Sequence, residues 1–434
     1  MPPVLFFILY KYFPYGGLQR DFLRIANSCR ERVACRIVVL TMTWDGEIPE
    51  GWHVEIAPRK EVRAFTQVGR YQRFTKWTQR WIARFKSQSS EAVVASHETS
   101  LKETDPLPPR TLSGPDSNVE SIVIGFNKMP GLDIYYAADP CFAEKAGTLR
   151  GRYYKFTPRF RHFMDYERAV FSSEAATQIL LISEIQQAFF EKHYRTPRHR
   201  LHMLPPGVSK DRSSPVGAGD IRAVFRKEFQ IEESDILLLA LGSDFRRKGL
   251  DRTLRAIASI PSNQRGRIKL FVVGRDNPGP FLRLARRLGV LQLLTIFPGR
   301  DDVPRFLLGA DLLLHPAYHE NTGTVILEAL AAGLPVITTA NCGYSHYVRD
   351  AEAGVVLQEP FDQQEFNRVL TDILNTKSGL SISESTAAST ESWSRNALEF
   401  SRGADIYTMP ERAAEIILSN LHRRTCAKSL AVPA

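Results

Sequence analysis

His315-Pro-Ala-Tyr-His-Glu320-Asn-Thr-Gly-Thr-Val-Ile-Leu-Glu328-Ala-Leu-Ala-Ala-Gly333-Leu-Pro335 is the stretch on which the reading of this chain turns. An apolar run, Asp311-Leu-Leu-Leu-His315, enters a polar turn. A helix then opens near Thr322 and closes at Gly333, and Pro335 starts the next strand. Helix N-termini present unbonded amides and a positive dipole end, so Gly323, Thr324 and Val325 are placed to hold a phosphate. Glu320 projects ahead of that site, and Glu328 lies about two turns behind its start. A rise of ~1.5 Å per residue separates the carboxylates by up to about 12 Å. A glycosidase acid/base pair needs roughly 5–9.5 Å. The wider spacing suits a ligand with hydroxyls at both ends and a diphosphate in the middle, as in a nucleotide-sugar. Spacing alone fits two solvated glutamates on an amphipathic helix equally well, and the rest of the chain decides.

The 434 residues exceed one ordinary core and imply two domains or three. The 43% hydrophobic and 24% charged content is that of a globular protein. Cys29, Cys35, Cys141, Cys342 and Cys426 are scattered, odd in number and lack zinc-ligand spacing, which fits a reduced, cytoplasmic setting. The apolar run Val4–Tyr10 is too short to span a bilayer and lacks the flanks of a signal peptide, so it reads as a buried strand. Membrane contact is therefore expected to be peripheral. Residues 1–210 hold 30 Lys/Arg against 21 Asp/Glu, and residues 211–434 hold 27 against 26. The basic first half points to an anionic partner: a membrane surface, a glycolipid or nucleic acid.

Both halves alternate short apolar β-rich runs with helical patterns, the signature of α/β domains with parallel sheets. Strands are expected at 4–10, 36–42, 53–57, 121–125, 134–137 and 178–182. In the second half they fall at 236–242, 268–274, 294–297, 312–315, 336–339 and 354–357. Helices such as 249–259 and 280–288 lie between. Two Rossmann-like domains follow, 1–208 and 209–407, with the junction at Leu204-Pro-Pro-Gly-Val208 and the polar stretch after it. Residues 408–434 hold a last helix with Ala413, Ala414, Ile416, Ile417 and Leu421 on one side, an apolar face for which a return to the N-terminal domain is one expected docking site. Segments 87–120 and 375–392 are rich in Ser, Thr and Glu without apolar periodicity and read as mobile surface insertions.

After the first strand, Tyr15-Gly16-Gly17 lets backbone approach a ligand and gives the next helix a free N-terminus. It is not the dinucleotide pattern, and no acidic residue follows at the distance NAD binding needs. In the second half, Arg246-Arg247-Lys248-Gly249 joins a strand to a helix, where cations can neutralise a diphosphate leaving group. With no P-loop and no Asp-x-Asp pair, Arg247, Lys248 and helix N-termini would carry the phosphate charge. Phe74, Trp77, Trp81 and Phe85 recur at helical spacing among cations: an aromatic face packed on a sheet, or a helix lying on an anionic membrane. Arg152, Tyr153, Lys155, Phe156, Arg159, Phe160 and Arg161 mix cations and aromatics without burial periodicity, which favours an interfacial contact. Such patches also stack single-stranded bases, but no nucleic-acid module accompanies them.

These motifs resemble glycosyltransferase family 4, and within it the lipopolysaccharide core glucosyltransferase I subgroup. The resemblance is carried by the Glu320/Glu328 element, Arg247-Lys-Gly249, Pro205-Pro-Gly207 and Leu9-Tyr-Lys-Tyr-Phe-Pro-Tyr-Gly-Gly-Leu-Gln-Arg-Asp-Phe22. Gly125-Phe-Asn-Lys-Met-Pro-Gly-Leu-Asp133, Ala138-Asp139, Gly242-Ser-Asp-Phe245, Leu312-Leu-Leu-His-Pro-Ala-Tyr318 and Cys342-Gly-Tyr-Ser-His346 complete it. It implies the GT-B fold, two Rossmann-like domains facing each other across a cleft. It also implies retaining, metal-independent transfer of glucose from UDP-glucose to an inner-core heptose, with no cofactor. By this resemblance Glu320 contacts donor-sugar hydroxyls, Glu328 the ribose, and Arg247 and Lys248 the departing diphosphate. Gly323, Thr324 and Val325 meet the distal phosphate, Gly299 and Arg300 the base, and Gly16 and Gly17 the donor from the N-terminal side. Asp21, Asn127, Lys128 and Asp139 fall on the acceptor side. The segment from about Tyr153 to Phe163 docks on the anionic inner face of the cytoplasmic membrane. Where many members have Glu-x-Phe-Gly, this chain has Glu320-Asn-Thr-Gly323, and Ser243 stands where an arginine is common. Rival readings are a family 4 enzyme with another donor or acceptor, and a non-catalytic binding protein on the same fold.

Overall fold

The computed structural model describes residues 2–14, 16–91, 120–149, 152–377 and 389–429, so most of the two expected insertions lies outside the described residues. The chain divides into two compact units, Met1–Leu204 with Met409–Ala434, and Pro205–Thr408. The first division falls between Leu204 and Pro205, ahead of the expected residue 208. The stretch after it is already anchored to the second unit, where Val208 N–H donates to Ile406 (2.8 Å) and Ser214 N–H to Ala331 (2.9 Å).

The first unit is built on strands β1 (Val4–Tyr12), β2 (Arg36–Trp44), β3 (His53–Ile56), β4 (Ser121–Gly125), β5 (Ile134–Ala137), β6 (Gln178–Leu181) and β7 (Leu201–Met203). They form one parallel sheet in the order β3-β2-β1-β4-β5-β6-β7. A parallel sheet is covered on both faces, which is why β1 reads as an unbroken apolar run. Leu5, Phe7 and Leu9 enter the core beneath helices Gly17–Arg32 and Met409–Ser429. Val4, Phe6 and Ile8 enter the opposite core, beneath helices Gln67–Glu91 and Pro158–Phe171. The last helix thus returns to the first unit, burying Ala413, Ala414, Ile417 and Leu421 with Phe22, Ile25 and Cys29. The aromatic helix packs on the sheet: Phe74 and Trp77 are buried, and Trp81 and Phe85 lie edge-on to Phe6 at 6.1 and 5.3 Å.

A buried carboxylate ties this unit together. Glu167 accepts from Lys128 Nζ (2.5 Å), Tyr194 Oη (2.7 Å) and the amides of Phe142 (2.8 Å) and Ala143 (2.9 Å) at the start of helix Phe142–Leu149. Lys128 also donates to the Pro140 carbonyl at 2.8 Å. Lys128, expected on the acceptor side, thus has its ammonium committed to Glu167 and the Pro140 carbonyl. Its ammonium points inward because Glu167 needs a buried counter-charge.

The second unit contains β8 (Ile236–Leu241), β9 (Ile268–Val273), β10 (Leu294–Phe297), β11 (Leu312–His315), β12 (Val336–Thr339) and β13 (Gly354–Leu357). They form a parallel sheet in the order β10-β9-β8-β11-β12-β13. The order reverses between β8 and β11, so the loops leaving these two strands diverge and open a crevice at their C-terminal ends. The same reversal occurs between β1 and β4 in the first unit.

Burial opposes ionisation of Glu167, yet Lys128 and the donated hydrogen bonds outweigh it and hold the carboxyl below its ordinary range. A depressed carboxylate contributes stability that is complete above its unfolded value, about pH 4.3, and lost as pH falls through the lower folded value. Glu167→Gln leaves the largely buried Lys128 ammonium (side chain 11% exposed) without its anion and is expected to cost about 3–5 kcal/mol in urea unfolding at neutral pH. The deficit against wild type should shrink as pH falls below that window. An unchanged midpoint at neutral pH would show that the pair contributes nothing.

Candidate functional site

The crevice between β8 and β11 is where the chemistry-bearing residues of the second unit gather. The loop leaving β8 turns through Gly242 (φ 109°) and Asp244 (φ 62°) to Gly249 (φ 78°). A side chain at Gly249 would place its Cβ 2.0 Å from the Pro316 carbonyl oxygen, so only glycine lets the two loops approach this closely. Tyr318 N–H donates to the Arg247 carbonyl at 2.9 Å and joins the loops directly.

Arg247 Nη1 and Lys248 Nζ both donate to Oε2 of Glu320, each at 2.5 Å. Arg247 is oriented from behind by Asp244, which accepts from its Nε at 2.9 Å. Burial disfavours the charge on Glu320, but Lys248 and Arg247 outweigh it and hold the carboxyl below its ordinary value. Burial likewise opposes the charge on Arg247, and Glu320 and Asp244 raise it above its usual value. His315, buried at the end of β11, has Nε2 3.9 Å from the same Glu320 oxygen. Burial, then the neighbouring Lys248, push its imidazole down to about 3, so it is neutral at physiological pH and adds no charge.

The loop leaving β12 clamps the Glu320 turn. Glu320 N–H donates to the Asn341 carbonyl (3.1 Å), Gly343 N–H to the Glu320 carbonyl (3.2 Å) and Tyr344 N–H to the Thr322 carbonyl (2.7 Å). A Cβ on Gly343 would lie 2.1 Å from the Asn321 carbonyl oxygen, which explains glycine in Cys342-Gly-Tyr. Past the turn, Gly323 takes φ 85° and helix Thr324–Ala331 begins one residue later, placing the amides of Gly323, Thr324 and Val325 at its N-terminus. Glu328 is buried on this helix, with Oε1 3.7 Å from Nε of Arg212.

Arg212 was not among the residues singled out from sequence. It is itself buried, and its Nε and Nη1 have no hydrogen-bond partner among the described residues. Its position shortly after Pro205-Pro-Gly207 was the available signal. His315 and Asp244 were also missed as site residues. Gly299 and Arg300 lie beyond β10, where Arg300 makes a two-pronged ion pair with Asp302 (2.6 and 2.8 Å). Its side chain is thereby committed, so a base contact there would fall to the backbone.

In the first unit, the expected residues lie at the C-terminal ends of the strands. Gly16 caps helix Gly17–Arg32, and Asp21 on that helix accepts from Tyr136 Oη at 2.8 Å. Asn127 accepts from the Tyr10 amide at 2.7 Å, and Asp139 is exposed after β5. The 3-10 turn Arg152–Phe156 leaves Tyr153 and Phe156 78% and 80% exposed, with Lys155, Arg159 and Arg161 exposed around them. The side chain of Arg152 lies outside the described residues. Phe160 departs from the interfacial expectation: it packs against Phe142 and Tyr154 at 5.8 and 5.9 Å. No described helix is long and apolar enough to cross a membrane.

The family described as glycosyl transferases group 1 matches residues 221–397, the part of the chain that holds this crevice. Lipopolysaccharide glucosyltransferase WaaG of Escherichia coli K12 is 41% identical over 418 residues, covering 96% of this chain and 99% of that protein. A D-inositol 3-phosphate glycosyltransferase of Streptomyces scabiei is 29% identical over 213 residues, 46% of this chain and 47% of that one. The crystal structure of WaaG superposes with a TM-score of 0.81 at 40% identity, covering 95% of this chain and 99% of that one. Anabaena HepE in complex with UDP-glucose matches with a TM-score of 0.65 at 16% identity, over 96% and 99% of the two chains, and shares the fold. With the identity to WaaG sustained along both chains, this protein belongs to the GT-B glycosyltransferases of group 1, family 4, as a member of the WaaG family.

Proposed function

We propose that this protein transfers glucose from UDP-glucose, with retention, to a heptose of the lipopolysaccharide inner core. The observation that carries the reading is the shared carboxylate oxygen of Glu320, which holds Arg247 and Lys248 together at the switch point of the second sheet. Asp244 and Glu320 balance Arg247 and Lys248 beside a helix N-terminus, where an anion is favoured, so both cations are already gathered where a phosphate can replace Glu320. An arriving diphosphate offers these cations a doubly charged partner, and Glu320 is released toward the hydroxyls of the sugar. Because Glu320 is held ionised, it accepts hydrogen bonds and does not serve as a proton donor.

Among the described residues no group has the placement of an obligate covalent nucleophile, and we favour front-face displacement. The leaving phosphate takes the proton of the incoming hydroxyl while Arg247 and Lys248 hold the developing charge. The reading needs no metal, since these two cations and the helix Thr324–Ala331 supply the positive charge. Glu328 accepts from the ribose hydroxyls, with Arg212 3.7 Å away beside it. Tyr153 and Phe156, ringed by Lys155, Arg159 and Arg161, rest on the anionic cytoplasmic face of the inner membrane, where a lipid-linked acceptor is held.

Lys248→Ala should lower kcat by roughly 10²–10³-fold with little change in acceptor KM. An unchanged kcat would remove Lys248 from the mechanism. Glu328→Ala should weaken UDP binding about tenfold or more by calorimetry, as expected for lost charge-assisted hydrogen bonds. Unaltered UDP affinity would reject its ribose role.

UDP release from UDP-glucose, with and without a heptose-terminated core acceptor, tests the whole reading. Acceptor-dependent release, undiminished by EDTA, is the expected result. Binding of UDP without release would leave the donor pocket standing and reassign the sugar or the acceptor.

A further inference from the structure

The first unit, with the returning helix included, contains 33 Lys/Arg and 23 Asp/Glu, whereas the second contains 24 of each. The entire charge of +10 therefore belongs to the first unit. Two short stretches account for most of it. Residues 58–73 hold Arg59, Lys60, Arg63, Arg70 and Arg73 against Glu61 alone, and residues 152–161 hold four cations and no acid.

These stretches share a construction. Phe65-Thr66-Gln-Val-Gly-Arg70 precedes and opens helix Gln67–Glu91, and Phe156-Thr157-Pro-Arg-Phe-Arg161 opens helix Pro158–Phe171. In each, the threonine caps the helix: Thr66 Oγ1 accepts from the Gly69 amide at 3.0 Å, and Thr157 Oγ1 from the Phe160 amide at 3.1 Å. A phenylalanine before such a cap ordinarily packs on an apolar residue four positions past the cap. Here those positions are Arg70 and Arg161, so neither ring has its usual partner. Phe65 is fully exposed and Phe156 nearly so.

The two caps also lie at the same end of one helix pair. The rings of Tyr71 and His162 stack with centroids 6.3 Å apart, and Tyr166 Oη donates to Thr75 Oγ1 at 3.0 Å. Both pairings advance in the same chain direction, so the helices run parallel. Tyr71 and His162 each follow their exposed phenylalanine by six residues, which sets the two rings at about the same height. Neighbouring helices lie about 8–10 Å apart, so both can meet one surface. Tyr71 stacks at 4.0 Å on Tyr10, near the end of β1, placing this surface at the sheet edge that carries Asn127.

We propose that the twin caps form a two-pronged docking surface for an anionic lipid bilayer. Phe65 and Phe156, with Tyr153, enter the headgroup boundary, and Arg59, Lys60, Arg63, Arg70, Lys155 and Arg161 engage the headgroups. This extends the membrane contact proposed above from one segment to two and rests on it. The bilayer is favoured over a protein partner because the cations are spread around exposed rings on both loops, a pattern that suits a laterally continuous anionic surface.

The test is flotation of the full chain with vesicles of phosphatidylcholine, alone or with about a third phosphatidylglycerol. Phe65→Ser and Phe156→Ser are each expected to lower partitioning onto the anionic vesicles about tenfold, and the double variant about a hundredfold. UDP affinity and the circular dichroism spectrum, which report folding, should not change. Wild-type partitioning of F65S beside a loss in F156S would overturn the second prong and leave the single-segment contact standing. Failure of the wild-type chain to bind either vesicle would sink both. Light scattering without vesicles gives the remaining outcome: self-association that F65S abolishes would assign the patch to a second copy and overturn the bilayer reading.

Discussion

One oxygen atom organises the second unit. Oε2 of Glu320 takes a hydrogen bond from Arg247 and another from Lys248, and it can do so only because three strand-to-helix loops converge on it. Gly249 lets the first loop lie against the second, and Gly343 lets the third lie against the Glu320 turn. Both contacts are backbone against backbone, where any Cβ would collide with a carbonyl oxygen. The glycines of these motifs are thus consequences of the charge cluster they assemble. The strand order makes the arrangement available, since β8 and β11 are the one adjacent pair from which the chain departs in opposite directions.

The electrostatics of the cluster decide between two roles for its carboxylate. A general acid must hold a proton near neutral pH, which burial alone would favour. Here burial is outweighed by two adjacent cations, and His315 behind them is neutral. Glu320 is left as a hydrogen-bond acceptor that also balances the charge of the cations beside it. The first unit uses a buried carboxylate differently. Glu167 is saturated by Lys128, a tyrosine and two helix amides, an arrangement that fixes a loop and has no oxygen to spare for a ligand.

Much of this was legible in the sequence because the signals are local. Apolar runs bounded by turn residues gave the strands, and the alternation of β1 between two cores is the physical content of its unbroken hydrophobicity. β7 escaped because Leu201-His-Met203 is a three-residue strand at the sheet edge with no apolar pattern. The apolar stripe of the last helix was visible, but its docking site depends on the chain crossing back over more than two hundred residues, which no window of sequence records. The ion pair of Lys128 was hidden for a similar reason: the residue lies in the loop after β4, and its partner is 39 residues away on the helix Pro158–Phe171. Arg212 carries no motif of its own, and His315 lies in one without a role assigned to it; both become notable only when folding buries them beside Glu328 and Glu320.

The charge distribution links the two halves of the argument about function. A donor site for a diphosphate, as proposed for the second unit, needs local positive charge, yet that unit has equal numbers of acids and bases. Its cations at the crevice are held by carboxylates, Arg247 by Asp244 and Glu320 and Lys248 by Glu320. Such pairs act over a few ångströms and vanish at longer range. The first unit does the opposite: its excess charge sits on exposed side chains, most of them without an ion pair among the described residues, around two outward-turned phenylalanines. That field extends into solvent for about a Debye length and attracts any extended anionic surface without regard to its detailed chemistry. Short-range, paired charge selects a small molecule; long-range, unpaired charge selects a surface. The sequence keeps the two apart by placing them on separate sheets.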